Sequence, residues 1–143
     1  MGFNIARLNR LSFLTRILKP HYPSYKGSVK SKKETFLKYK FSICYENATG
    51  FNGYITEKIF DSFFAGCVPI YLGAPNITSH IPSNTFIDKR NFKTYEELYQ
   101  YIKNMPDEEY TKYLENIKNF LQSEAVYPFS AECFVETIIK EII

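Results

Sequence analysis

Between Ala6 and Leu18 apolar side chains return as Leu8, Leu11, Leu14, Ile17 and Leu18, a spacing that predicts a helix with one buried stripe, ended by Pro20 and Pro23. Residues 20–35 mix Pro, Gly, Ser and Lys without a period and read as an exposed connection. Phe41-Ser42-Ile43-Cys44-Tyr45 is short, aromatic and β-branched. Cys67-Val68-Pro69-Ile70-Tyr71-Leu72 is an almost unbroken apolar run between Gly66 and Gly73, so both segments predict strands of a buried parallel sheet. Between them Ile59, Phe60, Phe63 and Phe64 share one helical face, with Thr56 as the expected N-cap and Gly66 as the stop.

Phe86-Ile87-Asp88 predicts one more short strand. Thr94-Tyr95-Glu96-Glu97 has the form of a capping box and opens a helix toward Lys103. Helical spacing returns from Asp107 to about Gln122 and again from Ser130 to Ile143. No internal repeat or low-complexity tract interrupts this order. Strands alternating with helices predict an α/β fold, a Rossmann-like parallel sheet flanked by helices, with residues 1–143 as a single domain.

Composition narrows the class without choosing a function. With 143 residues, 45% of them hydrophobic and 17% aromatic, the chain is of a size to build its own core. A formal net charge of +3 does not argue for nucleic acid as a partner. Lys26, Lys30, Lys32, Lys33, Lys38 and Lys40 crowd one segment, which reads either as a solvated face or as a basic mouth near an anionic ligand. Cys44, Cys67 and Cys133 lie too far apart for the spacing of a zinc site or a disulfide framework; Cys44 and Cys67 read as buried thiols, and no metal site is expected. No run reaches the roughly 18 to 20 apolar residues of a membrane span, and Arg7, Arg10 and Arg16 interrupt the amino-terminal apolar positions. The sequons at Asn47 and Asn76 carry no weight by themselves.

In a parallel α/β sheet, ligands bind beyond the carboxyl ends of the strands. Tyr45 to Lys58 occupies that place and gathers Glu46, Asn47, Gly50, Gly53, Tyr54, Thr56, Glu57 and Lys58 in one loop and the first turn of a helix. Free amides and the helix dipole there favour a phosphate, and Lys58 adds a cation. Glu57 is suited to accept bonds from vicinal hydroxyls, and Tyr54 to stack on a base or bond a sugar. The competing reading makes Glu57 a first-turn acid, Lys58 a solvated charge and Tyr54 loop packing. His21 and His80 stand without flanking signatures and read as surface residues.

Three segments in this order, Tyr39-Lys40-Phe41-Ser42-Ile43-Cys44-Tyr45-Glu46-Asn47, Gly53-Tyr54-Ile55-Thr56-Glu57-Lys58-Ile59 and Gly66-Cys67-Val68-Pro69-Ile70-Tyr71-Leu72-Gly73-Ala74-Pro75, resemble the donor-site signature of the α1,3/α1,4-fucosyltransferases, glycosyltransferase family 10. Ser83 to Phe92 resembles a further stretch of that family, with Arg90-Asn91-Phe92 in place of its acidic-aromatic pair; upstream, Ala6-Arg7 resembles the family helix whose arginine reaches the donor phosphates. The similarity covers about two thirds of the chain and weakens after Tyr101.

The resemblance implies the C-terminal half of a GT-B glycosyltransferase, transferring fucose from GDP-fucose to a hydroxyl of an N-acetylglucosamine or glucose unit in a glycan, with inversion and without a cofactor. Arg7 and Lys58 would hold the diphosphate, Glu57 the ribose, and Tyr54 and Asn47 the donor sugar or phosphate, with Glu46 ordering the loop. The general base of such a reaction belongs to an amino-terminal acceptor domain absent from this chain, so the chain is expected to bind donor but not to transfer fucose alone. A cytoplasmic or membrane-peripheral location of bacterial type is expected, or the Golgi for a truncated animal enzyme. Two other readings stand beside this one: a GT-B domain for another nucleotide sugar, and a degenerate domain kept as an interaction module.

Overall fold

The computed structural model describes residues 27–142, and every element falls in a compact unit that opens at Ser31. The helix expected over residues 6–18 lies outside the described residues. In chain order the elements are α1 (Lys32–Phe36), β1 (Phe41–Tyr45), α2 (Glu57–Phe64), β2 (Val68–Leu72), β3 (Ile87–Asp88), α3 (Tyr95–Lys103), α4 (Asp107–Leu121) and α5 (Ala131–Ile142). Short 3-10 turns at Ile77–Ser79, Ser83–Thr85, Lys89–Asn91 and Glu124–Phe129 join them. None of the described helices is long and apolar enough to cross a membrane.

The sheet has three parallel strands in the order β1-β2-β3, with Phe41 opposite Val68, Tyr45 opposite Leu72, and Ile70 opposite Ile87. β2 is central, and Val68, Pro69, Ile70 and Tyr71 are all buried, as its apolar run demands. A proline inside a central strand ordinarily forfeits a ladder bond. Here Val68 N–H donates to Lys40 O, so Pro69, one residue on, turns its nitrogen toward the β3 side; β3 begins only opposite Ile70, and no bond is lost.

Helix α2 returns the chain from β1 to β2. It buries Ile59, Ser62 and Phe63, and Gly66, at φ +70°, turns the chain into the strand without the clash a Cβ would bring. A polar seam ties α2 to β1: Ser42 Oγ donates to Ser62 Oγ at 2.7 Å, and Cys44 Sγ lies 2.9 Å from the same hydroxyl. Cys44 and Cys67 are buried thiols, and Cys67 Sγ lies 3.0 Å from both Phe36 O and Tyr39 O. Ile77, Ile81, Phe86, Ile117 and Phe120 complete the core.

Two expectations need correction. Phe64 is 66% exposed, because it sits about 140° around the helix from Ile59, while small Ser62 takes the inward position. Residues 32–36, expected as connection, form α1: Ser31 Oγ accepts from Glu34 N–H, and Lys32 pairs with Asp61 on α2 at 3.1 Å. Lys40 likewise pairs with Asp107 at 2.6 Å, so these two members of the lysine cluster are exposed cations partnered on the protein surface.

Candidate functional site

The carboxyl ends of the strands deliver Glu46 from β1, Gly73 from β2 and Lys89 from β3 to one edge. Glu46 N–H donates to Leu72 O at 2.8 Å, continuing the ladder one step past β1. That turn sends the Glu46 side chain inward, where it has 0% exposure. A carboxylate out of water needs donors, and three are present. Thr56 N–H reaches Oε1 at 2.8 Å, Thr56 Oγ1 donates to Oε2 at 2.7 Å, and Lys58 Nζ stands 3.2 Å from Oε2. The amino-terminal pole of α2 therefore already faces an anion, supplied by the chain itself.

This revises the expected cap. Thr56 has the extended backbone of an N-cap, but its hydroxyl makes no cap bond and donates to Glu46 instead. Lys58 is held a second time by Asn47 Oδ1 at 3.0 Å, and its side chain is 28% exposed. An ammonium carries three protons, so two internal acceptors leave one for a ligand at the open side. The ion pair cancels most of the local charge, and what reaches a ligand from Lys58 is a directed N–H more than a free cation.

The loop between Glu46 and Thr56 turns on Gly50 and Gly53, both at positive φ, and Gly53 N–H donates to Asn76 Oδ1 at 2.8 Å. Gly73 is required by packing rather than by its backbone angles. A Cβ there would stand 2.5 Å from Glu46 Cγ and would collide with the Tyr71 hydroxyl, which accepts from Ala74 N–H. Burial pushes the Tyr71 phenol up, with the Ala74 bond opposing, and burial likewise pushes up the Cys44 thiol, against its bonds to Ser62 and Ser42.

Of the residues singled out from sequence, Glu46, Asn47 and Lys58 come together in one hydrogen-bonded knot. Glu57 is exposed on the first turn of α2, beside a cavity of about 330 Å³ whose other walls include Ile55, Phe60 and Phe129. Tyr54 is 38% exposed on the loop. Arg7 lies outside the described residues. His80 is exposed, and its ring bonds only to Asn76 among the described residues. Sequence reasoning missed the parts played by Thr56, Asn76 and Arg90. Arg90 forks onto Asp88, with Nη2 to Oδ2 at 2.6 Å, and reaches Pro75 O at 3.1 Å, fastening the loop after β2; its hydrogen bond to Asp88 raises its pKa further. The departure Arg90-Asn91-Phe92 was the available signal. No group of three or more His, Cys, Asp or Glu among the described residues is placed to hold a metal ion.

Fold and site define a parallel-sheet α/β domain with polar loops gathered where such sheets bind ligands. It is similar to a crystal structure of an alpha1,3-fucosyltransferase with GDP (TM-score 0.58, 35% identity, 66% of this chain and 28% of that one) and to one with GDP-fucose (TM-score 0.58, 30% identity, 79% and 36%). The chain belongs to glycosyltransferase family 10 (fucosyltransferase), whose C-terminal model matches residues 16–134. It is 41% identical over 76 residues to an alpha-(1,3)-fucosyltransferase of Helicobacter pylori, covering 53% of this chain and 16% of that protein. It is 42% identical over 80 residues to GDP-fucose protein O-fucosyltransferase 3 of Gallus gallus, covering 54% and 17%. The matched segment thus spans about a sixth of these relatives' length.

Proposed function

We propose that this chain is a GDP-fucose-binding domain of a fucosyltransferase. The observation that carries the reading is the knot of Glu46, Thr56, Lys58 and Asn47 at the amino-terminal pole of α2, on the ligand edge of the sheet. The solved relatives with GDP and with GDP-fucose support the choice of nucleotide.

In this reading Lys58 presents its remaining N–H to the diphosphate. Glu57 accepts bonds from the ribose hydroxyls, and Asn47 and Tyr54 border the donor sugar or phosphate. Transfer with inversion forms a bond from the acceptor oxygen to the anomeric carbon as the bond to GDP breaks. The negative charge that develops on GDP is met by fixed donors, which need no reorganisation at that moment. The acceptor hydroxyl's proton goes to a general base. Glu46 is spent inside the knot and Glu57 is assigned to the ribose, so the base is proposed to come from a second, acceptor-binding domain. The exposed apolar residues Phe134, Val135, Ile138, Ile139 and Ile142 of α5 support such a neighbour.

Calorimetric titration with GDP, UDP and ADP tests the donor. GDP is expected to bind at least about tenfold more tightly than the other two, a difference of about 1.4 kcal/mol. Preference for UDP or ADP would move the chain to another nucleotide sugar, and no binding of any would favour an interaction module.

A further inference from the structure

We propose that the surface between α4 and the Ser83–Thr85 turn is a carbohydrate groove, separate from the knot at Lys58, that takes two successive sugar rings of a glycan. The inference rests on the glycosyltransferase reading, which is what brings a glycan to this chain.

Two cavities of about 260 and 230 Å³ meet at Tyr113, which lines both. Each is smaller than the roughly 300 to 1,000 Å³ occupied by drug-sized ligands, so each suits one pyranose ring rather than a nucleotide. The first has an aromatic wall of Phe86, Phe92 and Tyr101, and the second is bordered by Asn84 and Asn116. The turn contributes to both sides, Ser83 to one and Asn84 to the other.

The charges around the groove decide what kind of ligand it fits. Asp88 is taken up by Arg90, at 2.6 Å, and Glu109 accepts the Tyr101 hydroxyl proton at 2.6 Å. Among the described residues Lys112 is the one cation lining either cavity, too little for a nucleotide's phosphates. Apart from Lys112 and the second carboxylate oxygen of Glu109, what remains for a ligand is neutral. The side chains of Thr78, Ser83 and Asn91 have no hydrogen-bond partner among the described residues. Asn116 Nδ2 donates to Asn84 O at 3.1 Å, and its Oδ1 has no partner among the described residues. Neutral hydroxyls and amides around aromatic rings match a sugar, whose hydroxyls exchange bonds with amides and whose C–H faces lie on rings.

The groove is also held in shape before any ligand arrives. Tyr101 and Tyr113 place their hydroxyls 3.2 Å apart, and the Glu109 bond fixes Tyr101 against α4. Burial, with the Glu109 hydrogen bond second, pushes the Tyr101 phenol up. A wall fixed in advance lowers the ordering cost of binding.

The test is a titration of the ¹⁵N-labelled 143-residue chain with N-acetyllactosamine, an uncharged disaccharide. Shifts are expected at Thr78, Ser83, Asn91, Tyr113 and Asn116, with millimolar affinity. Asn91→Ala, at an exposed residue bonded to nothing described, should weaken binding about threefold to tenfold, the worth of one hydrogen bond. Tyr113→Phe, which keeps the ring, should weaken it less than Tyr113→Ala. Absence of shifts at these residues, or affinity unchanged by Asn91→Ala and Tyr113→Ala in variants with otherwise native spectra, would overturn the groove. GDP added to the same sample reports separately through Thr56 and Lys58, so an empty groove and a dead donor site give different spectra.

Discussion

Glu46 leaves β1 with its carboxylate out of solvent and three donors on it, so its loss strands both the Thr56 N–H and the Lys58 ammonium. Glu46→Ala should cost about 3 kcal/mol, the lower end of the range for breaking a buried pair, because Lys58 keeps some access to water. Glu46→Gln keeps an acceptor for Thr56 and should cost about 1 kcal/mol. Gly73→Ala, driven into Glu46 Cγ and the Tyr71 hydroxyl, should cost about 1–3 kcal/mol by overpacking. Urea midpoints at constant m check all three; equal midpoints for the alanine and glutamine variants of Glu46 would contradict the ion pair. The place of Glu46 directly after an apolar strand was legible in the sequence. Its partners were not, because a threonine before a helix reads as a cap by its local pattern, and only the tertiary approach of β1 turns the hydroxyl toward an acid ten residues back.

At the scale of elements, what is local was readable. Helix α3 begins where the Thr94-to-Glu97 box says, with both reciprocal bonds present. Thr94→Ala should therefore cost about 1 kcal/mol in thermal or urea unfolding, and Thr94→Ser almost nothing. β1 has the span read from sequence, and β2 begins one residue later than expected, because strand patterning and the bordering glycines are also local signals. What depends on contacts was missed. α1 is five residues long, too short to show a period, and its Lys32 is tied to Asp61 of a helix far along the chain. Phe64 was grouped on one helical face with Ile59, Phe60 and Phe63, but the turn of one more residue past Phe63 carries it to the outside.

At the scale of the described unit, α5 presents an exposed apolar face. It buries no residue and shows a run of exposed apolar side chains, while the sheet and α2 to α4 share one continuous core. A patch of that kind on an isolated chain favours self-association. Ile138→Glu with Ile142→Glu should lower the association state seen by sedimentation velocity at high concentration and leave GDP affinity unchanged; association unaffected by both would contradict this account of the patch. The central claim concerns the edge where the strand carboxyl ends and the pole of α2 meet. Its most direct measurement is GDP affinity of the chain against that of Lys58→Ala, with guanosine as the ligand lacking phosphates. The account predicts about a tenfold or greater loss for GDP and little change for guanosine. Equal GDP affinity in the two chains would contradict it.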